Sequence, residues 1–500
     1  MVHTLHKPQV KHVNQFDLLT LVVEGQSEKA YEESFELGDQ LFATLFNAVD
    51  GVGANVGQGQ QFTRVPRADL NRPGEWAKHF PLRVTGPNAQ SCSSCHSEPF
   101  EDGAGSAATN VHRDPFHTAN LGSFIRRDAS HLFAIGAVQR LAEEMTEELH
   151  SIRDRAQEEA CQRGDSTRVR LSAKGVRFGA VTVTPLEDEK GEGDGDSEPC
   201  SVAIDTSEVT GIDADLVVRP LQWKGIKAFV REFNRDASHN EIGMQPVELV
   251  GDDVDGDFDG VVNEMTIGDQ TALAVYLAAQ PRPTTRTELG SLGLIDKLSN
   301  EEVQAIQRGD EAFQRIGCAV CHIPNLKIDN PVFSEPSQNP HYRDDVFPGG
   351  QAPVSQGVDP AYSITFDLTW DQPDNQIKDS EGNIVFRLGS LERDRQGHAV
   401  VALFGDLKRH DMGPGLAEPI DEVGTGASVF LTENLWGIGS TAPYLHDGRA
   451  TTLTEAIVEH GGEAASSRAA FLALSSEAQQ DLLAFLNNMM LFKIEEEEEE

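Results

Sequence analysis

Residues 91–96 read SCSSCH, and residues 317–322 read GCAVCH. In each, two cysteines stand three positions apart and a histidine follows at once: Cys92, Cys95 and His96, then Cys318, Cys321 and His322. Two thiols and an imidazole at this spacing suit the attachment of haem. Each thiol adds to one vinyl group, and the adjoining imidazole nitrogen becomes an axial ligand of the iron. The chain has six cysteines in 500 residues, and four of them fall in these two motifs, so chance is a poor account of the repeat. A CxxC redox pair needs no histidine at the next position. A zinc site needs two further ligands close by, and neither motif has them. The motifs imply two covalently bound c-type haems.

Something must position each motif. Before the second, SNEEVQAIQRGDEAFQRIG (299–317) opens with Ser and Asn as cap candidates and two glutamates in the first turn. Val303, Ile306, Phe313 and Ile316 recur at helical spacing. SSEAQQDLLAFLNNMM (475–490) is a second capped amphipathic segment. A helix, a CxxCH and a closing helix make the layout of a small cytochrome c domain. The first half echoes it, with YEESFELGDQLFATLFNAV (31–49) before the motif and IGDQTALAVYLAAQPRP (267–283) to close. The expected fold is mainly α: two cytochrome c-like haem domains with long loop-rich insertions. The expected domains are 30–283 and 299–492, joined by a linker at 284–298. Residues 150–215 are expected to be an acidic surface insertion or disordered, 325–430 to be loop-rich, and 493–500 to be a solvated poly-Glu tail.

Composition narrows the partners. The net charge is −40, from 41 basic and 81 acidic residues. It disfavours nucleic acid and anionic membrane surfaces, both polyanions, and suits a cationic redox protein. No stretch resembles a membrane span. The start lacks the apolar core of a signal peptide, yet haem attachment of this kind belongs outside the bacterial cytoplasm. The expectation is therefore a periplasmic or extracellular protein read as a mature form. Cys161 and Cys200 fit that setting as a disulfide across the acidic segment.

A further site suits a hard cation. DDVDGDFDGVVNE (252–264) sets Asp255, Asp257 and Asp259 at alternate positions, then Gly260 and Glu264. Calcium wants six to eight such oxygens, although the last acid comes two residues early for an EF-hand loop.

TAPYLHDGRATTLTEAI (441–457) is similar to the signature after the second haem in bacterial di-haem cytochrome c peroxidases. Their relatives include the enzyme that matures the tryptophan tryptophylquinone cofactor of methylamine dehydrogenase. With GPNAQSCSSCH, DVDGDFDGVVNE, KRHDMGPGL and LWGIGSTAPYLHDGRATTLTEAI, the chain from about residue 35 to 490 resembles the di-haem oxidoreductase branch of that superfamily. The resemblance implies that peroxide binds at the N-terminal haem and that the C-terminal haem transfers electrons. In QWKGIKAFVREFNRDASHNEIGM (222–244), Trp223 would be the relay between haems. Glu241 would be the distal acid/base. Chemistry asks for such a group independently: splitting a peroxide bond needs a carboxylate that moves a proton from one oxygen to the other.

The resemblance also places ligands. His446 matches the signature histidine. Fourteen residues on, the peroxidases have Met and the cofactor-maturing relative Tyr, whereas this chain has His460. His460 is the candidate sixth ligand of the second haem, with Met412 as its rival. A His/His iron has a lower potential than a His/Met iron, which departs from the peroxidases. Thr441 and Pro443 match carbonyls that hold calcium between the haems. His112 falls at the place of a releasable distal ligand, with His117 and His131 as competitors, and Arg231 lies near the place of a distal glutamine. The function expected is peroxidase-like reduction of hydrogen peroxide, with electrons from a small cytochrome c or cupredoxin. The alternatives are an oxygenase or dehydrogenase acting on an organic or sulfur substrate, and a non-catalytic electron carrier.

Overall fold

The computed structural model describes residues 7–52, 88–106, 108–113, 124–186, 200–256, 259–370, 372–373, 376–378 and 383–493. His117, Asp257, the acidic stretch 187–199 and the terminal glutamates lie outside them.

Each half is organised by one helix crossing. The helix Ser27–Ala43 packs on the helix Ile267–Ala278, and the helix Asn300–Arg315 packs on the helix Ser476–Leu486. A glycine lies at each crossing. A Cβ added at Gly38 would collide with the Ala272 carbonyl, and one at Gly309 with the Asp481 carbonyl. Four residues after each glycine comes a phenylalanine that links the closing helix to the haem-motif histidine. Phe42 lies 5.7 Å from the Tyr276 ring and 6.2 Å from the His96 ring. Phe313 lies 5.4 Å from the Phe485 ring and 6.4 Å from the His322 ring. The repeat is written in the sequence as GDQLF (38–42) and GDEAF (309–313). Capping agrees with the expected boundaries. Ser299 and Glu302 form a reciprocal capping box, as do Thr266 and Asp269.

The expectation of a mainly α chain covers these helix pairs but not what surrounds them. Among the described residues, sixteen short strands pair into seven small sheets. Residues 150–215 are folded where they are described. A helix runs Ile135–Arg163, and the strands Thr167–Ala173, Val176–Pro185 and Val202–Asp205 form an antiparallel sheet against it. Val176, Phe178 and Ala180, then Val181 and Val183 after a one-residue shift, are buried, so alternating apolar residues lie under an acidic surface. Cys161 and Cys200 are bonded. The expected linker 284–298 is ordered too. Thr284–Thr285 pairs with Met489–Met490, and Thr285 caps the helix Arg286–Leu292. No helix among the described residues is long and apolar enough to cross a membrane.

The two largest hydrophobic cores among the described residues do not divide at residue 299. Leu326, Ile328, Phe333, Ile364, Phe366, Ala399 and Val401 bury themselves in the core built by the first half. The second core is smaller and joins Ala312 and Phe313 to Leu453, Phe471, Leu482 and Phe485.

The crossings yield a prediction. Gly38→Val and Gly309→Val each force two backbones apart and should lower the unfolding free energy by roughly 2 kcal/mol or more, within the range for overpacking. The shift in denaturant midpoint checks this, and an unchanged midpoint would refute close packing at that crossing.

Candidate active site

Each CxxCH motif opens onto a cavity. The first is lined by His96, His131, Phe133, Trp223, Phe233 and Glu241, among others. The second is lined by Cys318, Cys321, His322, Met412, His446 and His460, among others. None of the four motif cysteines is in a disulfide. Desolvation, with Cys95 nearby, raises the Cys92 thiol to about 12, and desolvation raises Cys318 to about 11. A reactive redox pair needs a lowered thiol pKa, so the bare thiols do not read as one.

The motif histidines are prepared alike. His96 Nδ1 lies 3.2 Å from the Gly103 carbonyl, and His322 Nδ1 lies 3.0 Å from the Phe404 carbonyl. A carbonyl only accepts, so Nδ1 carries the proton and Nε2 keeps its lone pair for a metal. Desolvation lowers both histidines to about 4, which keeps them neutral at ordinary pH. These residues fit two c-type haems.

His460 repeats the device across the second cavity. Its Nδ1 lies 2.7 Å from the Ala456 carbonyl. The His322 and His460 rings are 6.4 Å apart between centroids. Two metal–nitrogen bonds of about 2 Å each, with the two ring radii added, bring centroids roughly 6 Å apart. The spacing matches two imidazoles on one iron. Met412 lines the same cavity from the loop after the strand Arg409–Asp411.

A competing metal reading is met and set aside. Among the described residues, one group of three possible ligands gathers within 4.8 Å: Cys321, Asp406 and His410. Yet His410 Nε2 is 2.9 Å from Asp406, and its Nδ1 is 2.9 Å from Glu463. Carboxylates accept, so both nitrogens carry protons. Burial works to lower His410, but the bonds with Asp406, Cys321 and Glu463 overcome it and raise the group to about 11. His410 is a fixed cation beside the Cys321 sulfur and has no lone pair to give.

Trp223 stands in the wall that the two cavities share, together with Asp128, His131 and Glu433. Trp223 Nε1 donates to the Asp128 carbonyl at 2.8 Å, and the Asp128 amide donates to the His446 carbonyl at 2.8 Å. The His446 ring stacks on Phe430 at 4.3 Å and meets Trp223 edge-on at 6.4 Å. Desolvation lowers His446 to about 3 and raises Glu433 to about 7. Desolvation and the nearby Glu433 and Asp447 carboxylates raise Asp128 to about 8. Behind Phe430, the Lys224 ammonium lies 4.0 Å from the ring centroid. It donates to the Gly426, Ala427 and Val429 carbonyls and lies 3.4 Å from Glu418, which also pairs with Arg127.

Glu241 lines the first cavity on a π-helical turn, Ser238–Ile242, that continues the helix Val230–Ala237. Single π turns recur at functional sites because they swing one side chain out of register. Asn88, four residues before Cys92, grips it twice. Its side-chain amide donates to Glu241 Oε2 at 2.8 Å, and its backbone amide donates to the Glu241 carbonyl at 2.7 Å.

Other expected residues fall elsewhere. Arg231 does not reach the first cavity. It is buried and donates to Glu248, Glu335, Thr271 and the Ile267 carbonyl, so its charge holds the helix in place. His112 lines neither cavity, whereas His131 lines both. His131 is one of the competitors to His112, whereas nothing in the local sequence singles out Asp128 or Asn88. Thr441 and Pro443 line the second cavity. In the proposed cation loop, Asp255 accepts from the Asp259 and Gly260 amides, Asp259 from the Val261 amide, and Glu264 from the Gln245 amide. The described carboxylates of that loop do not form a three-ligand group.

Residues 396–489 match the family model described as "Di-haem oxidoreductase, putative peroxidase". No curated protein matches the chain. A solved MauG-like protein associated with microbial copper homeostasis is 18% identical, with 57% of this chain and 76% of that chain covered at a TM-score of 0.27. Kuenenia stuttgartiensis hydrazine synthase is 17% identical, with 47% and 58% covered at a TM-score of 0.22. Neither score carries a structural argument.

The buried cation behind Phe430 generates a prediction. Lys224→Met removes the donor to three carbonyls and should cost roughly 3 kcal/mol, the lower end for breaking a buried ion pair. Chemical denaturation of the haem-loaded protein measures it, and a loss under a few tenths would show the ammonium to be dispensable.

Proposed function

We propose, from the match of residues 396–489 to the di-haem oxidoreductase family model, that this protein reduces hydrogen peroxide at its N-terminal haem site. Electrons enter through the C-terminal site. The observation that carries the reading is Glu241, a carboxylate presented to the cavity of His96 on a π turn and oriented by Asn88.

Cys92, Cys95 and His96 would hold one haem, and Cys318, Cys321, His322 and His460 the other. Bound haem supplies the iron that takes peroxide and the path for electrons. Glu241 takes the proton from one peroxide oxygen and returns it to the other, so that one water leaves as the O–O bond breaks. Two electrons and two protons from outside complete the conversion of peroxide to two waters. Trp223 supplies an aromatic ring in the wall between the sites. Asp128 holds that ring by its indole N–H.

A cationic small redox protein, cytochrome c or cupredoxin, complements the net charge of −40. The Cys161–Cys200 disulfide supports a periplasmic or extracellular setting. Calcium in the 252–264 loop belongs to the same proposal: Asp255, Asp259 and Glu264 each accept backbone amides and keep further lone pairs for a cation. The His322–His460 pair favours one other reading. Two imidazoles lower an iron's potential relative to His/Met, which suits a reaction on an organic or sulfur substrate on the same scaffold.

Glu241→Gln keeps the shape and removes the proton carrier. Peroxide turnover should fall by roughly 10²–10⁴-fold, the usual worth of a general acid/base, with the resting haem spectrum unchanged. Stopped-flow mixing with peroxide checks this, and wild-type turnover would sink the assignment. His460→Ala should convert one of the two haems to a high-spin signal by EPR. A spectrum identical to wild type would return the ligand role to Met412.

A further inference from the structure

The last described residues return to the first haem motif. After the strand Met489–Met490, Leu491 is buried, and its amide donates to the Ser440 hydroxyl at 2.9 Å. Two residues on, the Lys493 ammonium donates to Asp102 Oδ2 at 2.8 Å. The Tyr276 hydroxyl donates to the same oxygen at 2.7 Å. Asp102 and Tyr276 are fully buried, and only 14% of the Lys493 side chain is exposed. A buried carboxylate is costly unless it is both paired and hydrogen-bonded, and Asp102 is both. Its two donors come from separate places. Tyr276 belongs to the closing helix of the first half, and Lys493 lies beyond the closing helix of the second.

Asp102 stands directly before the residue that fixes His96. The Gly103 carbonyl is the acceptor for His96 Nδ1. Asp102 has φ 63°, a left-handed conformation that a residue other than glycine keeps only where its surroundings hold it. Its own carbonyl accepts from the Leu132 amide at 2.9 Å. Gly103 sits so close to the Glu98 carbonyl that an added Cβ would collide with it. The loop has little slack, so whatever holds Asp102 also sets where the Gly103 carbonyl points.

We propose that Lys493 and Tyr276 are positioning residues for the first haem site: through the Asp102 carboxylate they hold the Gly103 carbonyl against His96 Nδ1. The inference rests on the reading of Cys92, Cys95 and His96 as a haem site. A firm bond from Nδ1–H to a carbonyl makes the imidazole a more basic ligand. A more basic axial ligand favours ferric iron and lowers its potential. A side chain contributed from beyond the second haem domain thereby tunes the first haem.

The test compares haem-loaded wild type with Lys493→Met and Tyr276→Phe. Optical redox titration gives the two haem potentials, and His460→Ala marks the one that belongs to the second site. Charge and positioning predict opposite signs for Lys493→Met. Loss of a cation alone favours ferric iron and lowers the potential, whereas a slack His96 bond raises it. Tyr276→Phe keeps the ring and the net charge and removes only the donor. Both variants are expected to raise the potential of the first haem and leave the second unmoved, and Lys493→Arg should restore it. Hydrogen exchange in peptides spanning 97–105 should quicken roughly tenfold in both, as local opening becomes easier. A first-haem potential unchanged or lowered in either variant overturns the proposal. Peroxide turnover of Glu241→Gln is measured separately. Wild-type turnover there would remove the peroxidase reading and leave the positioning role standing on potentials and exchange.

Discussion

The backbone of Asp128 joins what the two halves contribute. Its amide holds the carbonyl of His446, and its carbonyl holds the indole of Trp223. One residue thereby sets the wall between the cavities, because the aromatic ring and the signature histidine hang from the same point. The side chain below is desolvated and surrounded by further carboxylates. Its raised pKa keeps it neutral where a charge would repel Glu433 and Asp447. Polar backbone bonds of this kind are directional, so they locate Trp223 and His446 more sharply than apolar packing would.

Around this wall the same construction appears twice. A glycine lets two helices touch, a phenylalanine four residues later reaches the motif histidine, and a carbonyl fixes that histidine's tautomer. The difference lies beyond the histidine. One cavity adds an imidazole at metal-bridging distance, and the other adds a carboxylate on a π turn. The two sites share a scaffold but offer different partners to whatever binds there.

Much of this was legible in the sequence. The CxxCH motifs, four main helices and the caps at Ser299 and Ser475 follow from spacing and from local hydrogen bonding, which act within a few residues. Trp223, Glu241 and His460 were found by resemblance, and each lines a haem-motif cavity. Composition at 150–215 did not disclose the buried strands that flank the acidic stretch. Nor did it disclose that a two-residue strand of the linker pairs with Met489–Met490. Arg231 was misplaced because a buried ion network, invisible in local sequence, claims its guanidinium. Asn88 and Asp128 carried no signal, since their roles depend on contacts across the chain.

The interleaving of the cores has a consequence for how the molecule can be divided. Phe333, Phe366 and Val401 complete the core of a half that otherwise ends near residue 283. A fragment cut there would expose the apolar surface those side chains cover. The first haem site therefore reaches its finished surroundings only after the second motif has already been made. Its own motif must accept cofactor in a partly assembled shell, or wait for the rest of the chain. The two halves look like a duplication at the level of their helices, yet the core of the first is completed by side chains of the second.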